Sequence, residues 1–140
     1  EDCLYHAGKI YLRYNSNQCI KIGDKTTIED AYLLTDEDAS ITIGRDCMFS
    51  KFVHLRAGDG HSVLDVASGK RINRAKDIVI GDHVWVGRAT CILKGSVIPD
   101  RSVVGAHAVV TRQFGQEGSA IAGNPASVVR SGLDWDRRML

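Results

Sequence analysis

Residues 80–110 read IGDHVWVGRATCILKGSVIPDRSVVGAHAVV, and this stretch decides the fold. An aliphatic side chain recurs at every sixth position: Ile80, Val86, Ile92, Ile98, Val104 and Val110. A helix with about 3.6 residues per turn cannot keep a period of six on one face. Simple strand alternation has a period of two and does not explain why aliphatic residues recur at every sixth position. The period of six therefore indicates a repeat architecture.

A second position of the repeat is also restricted. Four residues after each of the first five aliphatic side chains comes a small or β-branched residue: Val84, Thr90, Ser96, Ser102 and Ala108. Glycine directly follows the aliphatic residue in three repeats, at positions 81, 87 and 105. This code resembles the hexapeptide of the left-handed parallel β-helix, in which three short strands form a triangular coil and coils stack about 4.8 Å apart.

The resemblance predicts an all-β protein, a left-handed parallel β-helix of hexapeptide repeats with one long protruding loop and a short C-terminal tail. In that fold the aliphatic residue points into the prism, and the small residue sits at a corner that leaves little room. A β-sandwich with fortuitous spacing is the alternative, and six consecutive hits disfavour it.

Imperfect copies of the repeat precede residue 80. Two sets keep the six-residue spacing: Ile22, Ile28 and Leu34, and then Ile43, Phe49 and Leu55. A three-residue slip across the acidic turn at 35–39 separates the two sets. We expect a cap before them, since the open end of a β-helix exposes a sheet edge. A single domain is thus predicted over residues 1–140, with the cap at 1–19, first coils at 20–55, a loop at 56–79, regular coils at 80–115 and a C-terminal turn and tail at 116–140.

The predicted loop is the clearest departure from the repeat. Its twenty-four residues, 56–79, lie between the inward-facing Leu55 and Ile80 and do not keep the six-residue phase. Loops of this length without structure of their own are usually functional. The DGHS segment at 59–62 sets the imidazole of His61 in a tight turn beside the coils. We interpret the remaining histidines as structural: His6, His54, His83 and His107.

Four landmarks carry a more specific resemblance. They are DGHS at 59–62, IGDHVWVG at 80–87, VVGAHAVVTR at 103–112 and AGNPASVVR at 122–130. With these landmarks, residues 43–130 resemble the hexapeptide acyltransferases of the maltose, galactoside and virginiamycin acetyltransferase type. They resemble still more the O-acetyltransferases that modify bacterial surface polysaccharides and sialic acid. The resemblance implies transfer of an acetyl group from acetyl-CoA to a hydroxyl of a sugar or surface polysaccharide.

In this family the histidine at the position of His61 removes the proton of the acceptor hydroxyl. A free imidazole titrates near pH 6.5, about where a general base operating at neutral pH should titrate. Asp59 or Asp65 is a candidate to orient the ring. Trp85 occupies the place of a tryptophan that polysaccharide O-acetyltransferases pair with their histidine; the alternative is an outward aromatic that covers a coil or a subunit contact. The polar loop implies acceptor contacts from Arg56, Asp59 and Ser62.

The resemblance also implies a binding groove for coenzyme A between neighbouring prisms. Backbone groups at Arg88 and Ala106 are expected to receive the amides of the pantetheine arm. The other expected coenzyme contacts are Thr111, Arg112, Ser127 and Arg130. The guanidinium groups of the two arginines suit phosphate oxygens. The family implies a homotrimer, with active sites between subunits.

Composition excludes several other classes of function. Net charge is +1 and the basic residues are scattered, which does not favour nucleic acid as a partner. No apolar run has the length of a membrane span and no signal peptide opens the chain, so we expect a cytoplasmic protein without a membrane span. The first residue is Glu1, not Met, so we expect a cropped or processed N-terminus. The four cysteines show no metal-ligand spacing and are interpreted as reduced thiols.

Three alternatives stay open at this point. The first is a metal enzyme like the γ-type carbonic anhydrases, which share the prism and hold zinc with three histidines; it requires His83 and His107 to stack near each other. The second is an N-acetyltransferase of an amino sugar or xenobiotic. The third is a β-helix used only for assembly. The His61 loop favours the O-acetyltransferase, for which we expect no metal.

Overall fold

The computed structural model describes residues 2–14 and 17–140. These residues form sixteen β-strands and no helix. The strands are β1 (Leu4–Tyr5), β2 (Gly8–Arg13), β3 (Ile20–Ile22), β4 (Thr27–Ile28), β5 (Ala31–Asp36), β6 (Ile41–Ile43), β7 (Met48–Phe49), β8 (Val53–Arg56), β9 (Ile78–Ile80), β10 (Trp85–Val86), β11 (Cys91–Leu93), β12 (Val97–Ile98), β13 (Val103–Val104), β14 (Val109–Val110), β15 (Ser119–Gly123) and β16 (Ala126–Ser131).

The strands build three sheets along the length of the molecule. Sheet A contains β1, β4, β7, β10, β13, β15 and β16, sheet B contains β2, β5, β8, β11 and β14, and sheet C contains β3, β6, β9 and β12. Along the chain a strand of sheet A is followed by one of B and then one of C, so that each circuit closes a three-sided coil. The architecture is the all-β left-handed parallel β-helix that the repeat predicts.

The aliphatic repeat residues stack in ladders inside the prism. In sheet B the ladder is Leu33, Leu55, Ile92 and Val110, all fully buried and paired in register. Sheet A stacks Phe49, Val86, Val104 and Ile121, and sheet C stacks Ile43, Ile80 and Ile98. Burying one such side chain contributes about 1.5–3 kcal/mol, so the ladders supply most of the driving force for folding.

The second coil departs from the predicted spacing. Leu33, and not Leu34, pairs with Leu55 in the ladder, five residues after the inward-facing Ile28. Leu34 pairs with Arg56 and is buried as well. Because most of β5 is shielded from water on both faces, hydrophobicity does not tell the two leucines apart.

Tight corners between the sheets explain the second repeat position and the glycines. Thr90 and Ser96 are buried, and their hydroxyls donate to the carbonyls of Gly87 (2.8 Å) and Val110 (3.1 Å). A Cβ at Gly81 would lie 2.1 Å from Oδ1 of Asp100, so the close approach of successive coils there requires glycine. The corners also hold non-glycine residues with positive φ: Phe52, Ala89 and His107 between sheets A and B, and Lys25, Asp46, His83 and Arg101 between sheets C and A.

The two ends of the prism differ. The described part of the segment 1–19 supplies β1 and β2, which pair parallel with β4 and β5 and so form two sides of a coil of their own. At the other end β16 turns back and pairs antiparallel with β15. The tail that follows β16 returns along the corner between sheets C and A.

Candidate active site

The His61 segment leaves the prism at the corner between sheets B and C. It covers residues 57–77, between β8 and β9. A hydrogen bond from the amide of Lys76 to the carbonyl of Ala57 (2.9 Å) closes its base, and the amide of Ile72 donates to the carbonyl of Val63 (2.9 Å) in an outer hairpin. The segment thus has hydrogen-bonded structure of its own, and the DGHS turn lies between its base and its hairpin.

His61 lines a cleft of about 260 Å³ at this corner. The cleft is bounded by Tyr14, Asp36, Glu37, Gly60, His61, Ser62 and Arg71. The His61 side chain is exposed, and within residues 2–14 and 17–140 its ring has no hydrogen-bond or ion-pair partner. Asp36 is buried and accepts two hydrogen bonds from Arg13, at 2.9 and 3.2 Å. An accessible imidazole therefore faces a polar cleft large enough for part of a sugar.

The two carboxylates that were candidates to orient His61 have other partners. Asp59 accepts hydrogen bonds from Asn73 (2.7 Å) and from Lys94. Burial alone would raise the pKa of Asp59, but these hydrogen bonds outweigh it and hold the pKa below its ordinary value. Asp65 accepts from the hydroxyl (2.6 Å) and the amide (2.7 Å) of Ser68, which lowers its pKa. Asp59 thus belongs to the turn that carries His61, and Asp65 belongs to the hairpin.

Sequence reasoning missed three residues that hold the loop: Glu37, Asn73 and Lys94. Glu37 accepts from the amide of Ala75 (2.8 Å) and pairs with Arg71, and these contacts lower its pKa despite partial burial. A signal for Glu37 was present, since it lies in the acidic turn where the repeat first slips. That slip and the loop fall at the same corner, one coil apart.

Trp85 lies on another side of the molecule. It is part of β10 in sheet A, where it pairs with Met48 and Val103, and its ring packs 6.1 Å from that of Trp135. The corner between sheets B and C, which carries His61, is the corner opposite sheet A. A single chain therefore does not bring Trp85 to the His61 cleft, and joint action of the two residues stays a prediction that needs a second copy of the chain.

The predicted coenzyme contacts are all exposed but are spread over three places. Arg88 and Ala106 follow β10 and β13 at the corner between sheets A and B; Thr111 and Arg112 follow β14 at the corner between B and C; Ser127 and Arg130 lie on β16. Two of the arginines lie over aromatic rings, Arg88 5.0 Å from the centroid of Phe52 and Arg112 5.2 Å from that of Phe114. Thr111 and Arg112 thus share a corner with the His61 loop, and the other four do not.

His61, His83 and His107 occupy three different corners of one prism, so the stacking of His83 near His107 that the metal-enzyme alternative requires is not found within one chain. His83 lies between sheets C and A, His107 between A and B, and His61 between B and C. His83 and His107 are 24 residues apart, which is one full coil plus one further side of the prism. His83 therefore stacks on Arg101 in the next coil and not on His107. Within the described ranges, no group of three or more histidine, cysteine or acidic side chains is arranged to hold a metal ion.

The tail folds back onto the corner between sheets C and A. The ring of Trp135 stacks on that of His83 with centroids 4.4 Å apart, and its Nε1 donates to the His83 carbonyl (2.8 Å). Arg137 donates to Asp46 (3.1 Å) and to the carbonyl of Cys47 (2.8 Å). Burial alone would lower the pKa of His83, but its hydrogen bonds to the Trp135 carbonyl and the Asp46 carboxylate outweigh burial, and the pKa is raised. Trp135 thereby links this corner to Trp85.

Two further findings concern the chain as a whole. The four cysteines are free, and burial raises the pKa of the Cys47 thiol to about 11. Over residues 2–14 and 17–140, the structure has no helix with the length and apolar character needed to cross a membrane.

Comparison with known proteins finds several acetyltransferases. The chain is 38% identical over 139 residues to a polysialic acid O-acetyltransferase of Escherichia coli O1:K1 / APEC, which covers 91% of this chain and 45% of that relative. The solved polysialic acid O-acetyltransferase OatWY is 35% identical with a TM-score of 0.91, over 99% of this chain and 65% of that one. A hexapeptide-repeat-containing acetyltransferase of Vibrio cholerae O1 biovar eltor, solved in complex with acetyl coenzyme A, is 30% identical with a TM-score of 0.69, over 94% and 73% of the two chains.

These matches extend over nearly the whole of the chain, although no family model matches it. The chain spans about half the length of the curated relatives it matches. It covers more than two thirds of the Vibrio cholerae acetyltransferase and shares with it the repeat fold described above. The chain therefore belongs to the hexapeptide-repeat-containing acetyltransferases.

Proposed function

We propose that this chain is an acetyl-CoA-dependent O-acetyltransferase that acts on a hydroxyl of a sugar or surface polysaccharide. The observation that carries the proposal is the exposed imidazole of His61, held on a hydrogen-bonded turn at the mouth of a polar cleft. The relatives named polysialic acid O-acetyltransferase support the acceptor class. The Vibrio cholerae acetyltransferase solved with acetyl coenzyme A supports the donor.

The proposed reaction is a direct transfer with His61 as general base. The imidazole accepts the proton of the acceptor hydroxyl as the hydroxyl oxygen attacks the thioester carbonyl carbon of acetyl-CoA. The new C–O bond forms, the C–S bond breaks, and the coenzyme A thiolate takes the proton from the imidazolium. General-base assistance of this kind contributes about 10²–10⁴-fold to the rate. Of the proposed acceptor contacts, Asp59 is committed to the turn, and Arg56 and Ser62 are the groups left to bind the sugar.

The acceptor that we propose is an oligomer of sialic acid or a similar anionic sugar. Its carboxylate requires a cationic partner. Arg56 ends β8 at this corner, and Arg71 lines the cleft, where it adds positive charge while it pairs with Glu37. Guanidinium groups suit carboxylates because they donate two parallel hydrogen bonds. A neutral hexose lacks the carboxylate that makes such a paired, charge-assisted contact.

We further propose a homotrimer in which neighbouring chains complete each site. Trp85 and four of the six proposed coenzyme contacts lie away from the corner of one prism that carries His61, so a complete site requires a second copy. Outward-facing apolar residues on the sheets are available for such contacts: Val79, Trp85 and Val129. Closed rings of identical chains are a common way to bury such surfaces. Free thiols suit a reducing compartment, and we propose that the enzyme works in the cytoplasm.

The decisive experiment measures coenzyme A release by the wild-type chain and by His61→Ala with oligosialic acid, neutral hexose oligomers and amino-sugar oligomers. We expect turnover with oligosialic acid, reduced about 10²–10⁴-fold in His61→Ala, with unchanged binding of acetyl-CoA. His6→Ala is the matched control, since His6 is also exposed and lies in the first coil. Full turnover by His61→Ala would refute the mechanism, and turnover only with amino sugars would make the chain an N-acetyltransferase.

A further inference from the structure

Asn73 makes more side-chain hydrogen bonds than its neighbours in the His61 loop. It lies in the returning arm of the segment and is 9% exposed. Its Nδ2 donates to Oδ2 of Asp59 (2.7 Å) and to the carbonyl of His61 (2.8 Å). Its Oδ1 accepts from the amide of Val63 (2.8 Å) and from Nε of Arg71 (3.1 Å). Both amide hydrogens and both lone pairs of the side chain are therefore used.

These bonds fasten the turn on both sides of His61. They reach Asp59 two positions before His61, the carbonyl of His61 itself, and the amide of Val63 two positions after it. Gly60, next to His61, has a φ of +79°, so this turn includes the most adaptable type of residue. The His61 ring has no partner among the described residues, and its direction is set through its backbone. The hydrogen bonds that fix the backbone of the turn therefore also set the direction of the imidazole.

Asn73 is itself held against the regular coils. Its carbonyl accepts from Nη2 of Arg71 (3.2 Å) and from Nζ of Lys94 (3.3 Å), and Lys94 also pairs with Asp59. Lys94 directly follows β11, whose Ile92 belongs to the buried ladder of sheet B. The chain of contacts runs from the rigid core through Lys94 and Asn73 to the turn.

We infer that Asn73 is a positioning residue for the general base, an inference that rests on the proposed function of His61. Its amide fixes the backbone from residue 59 to residue 63 so that the imidazole points into the cleft without a carboxylate of its own. An aspartate at this position does not serve, because its second oxygen faces Oδ2 of Asp59 and the carbonyl of His61, both of which are acceptors. The donor end of the amide is thus the part that matters.

Two variants separate this role from general support of the fold. Asn73→Ala removes all four bonds, and Asn73→Asp keeps the shape and the acceptor while exchanging the donor. For both we expect kcat to fall about 10–10²-fold, as for a displaced catalytic group, with KM for acetyl-CoA unchanged. Ser68→Ala is the matched control, because it removes a hydrogen bond to Asp65 in the hairpin of the same loop. It should keep wild-type kcat.

A pH profile adds a test that a merely structural role would not pass. In Asn73→Asp the introduced carboxyl group faces the carboxyl group of Asp59. At low pH one of the two takes up a proton and donates a hydrogen bond, as the amide did. The ratio of kcat for Asn73→Asp to kcat for Asn73→Ala should therefore rise as pH falls. In spectra of protein labelled at histidine, the resonances of His61 should broaden or shift in Asn73→Ala while those of His6 and His54 stay in place.

The outcomes are distinct from those for the proposed function. Wild-type kcat in both Asn73 variants, with His61→Ala inactive, would overturn the role of Asn73 and leave the general base intact. Activity lost together with a large fall in Tm and shifts of all histidine resonances would also overturn it, since Asn73 would then support the fold. Full activity of His61→Ala would refute the proposed general base by itself.

Discussion

The regular coils at 80–110 and the His61 segment at 57–77 are neighbours in the chain but are held by different forces. In the coils each residue repeats the contacts of the residue one coil earlier, and Ile92 packs between Leu55 and Val110 in one apolar ladder. In the segment no contact repeats, and the backbone is tied by single polar side chains such as Asn73. Stability therefore resides in the first region and the proposed chemistry in the second.

The comparison explains why a reactive side chain is carried on an interruption. A side chain inside the prism is dry and has no access to substrate, and an outward side chain on a coil shares a flat sheet surface with its neighbours. A loop tied by hydrogen bonds provides concave shape next to a rigid scaffold. Its position is fixed at few points, so single substitutions should change activity there with little effect on folding.

The largest effect on stability is expected from Ile92→Ala. Ile92 is fully buried in the ladder of sheet B, and truncation there should lower the free energy of unfolding by about 2–5 kcal/mol. The matched variant is Ile72→Ala in the loop, where the same side chain is 65% exposed and the change should stay within about 0.5 kcal/mol. Denaturant unfolding followed by circular dichroism measures both. Equal losses in the two variants would contradict the division between scaffold and loop.

The same division sets how far the sequence predicts the structure. The six-residue period predicts the fold and identifies the buried residues from Ile80 to Val110, because each repeat obeys one local rule. The period does not predict which of Leu33 and Leu34 faces inward, because most of β5 is buried on both faces and no exposed polar side marks the outward face. The loop is located by its loss of phase, but its internal contacts join residues without a common spacing, such as Glu37 with Ala75. Trp85 and His61 lie on different sides of the prism. This separation becomes evident only when each strand has been assigned to its sheet, which requires the strand bounds.

A smaller effect is expected from Glu37→Gln, which tests whether the polar ties fix the loop. The substitution keeps the size of the side chain but removes the charge that pairs with Arg71 and Arg74. The amide of Ala75, which donates to this carboxylate, should exchange its hydrogen faster, and kcat should fall by less than in Asn73→Ala. Glu117→Gln is the control, because its pair with Arg101 is equally lost but lies away from the loop. Hydrogen exchange that is unchanged in Glu37→Gln would argue against the tie.

The smallest effect is expected where the tail meets the scaffold. Since the pKa of His83 is raised, its contribution to tail attachment should be complete below the ordinary imidazole pKa of about 6.5 and should be lost as pH rises through the folded-state pKa. The pKa of Asp46 is lowered, so its contribution should be present above its ordinary value of about 3.9 and lost as pH falls through the folded-state value. Asp134, 3.5 Å from His83, strengthens the attraction while the ring is charged.

The tail should thus be held most firmly between about pH 4 and pH 6.5, and it should loosen on the alkaline side. Trp135 reports this directly, because the protonated His83 ring stacks on the indole and changes its emission. In a Trp85→Phe background, which leaves Trp135 as the single tryptophan of the chain, fluorescence should show one transition above pH 6.5. In His83→Gln that transition should vanish, while unfolding in denaturant changes little because no ladder is touched. A transition that persists in His83→Gln would assign it to another group and leave the tail independent of this corner.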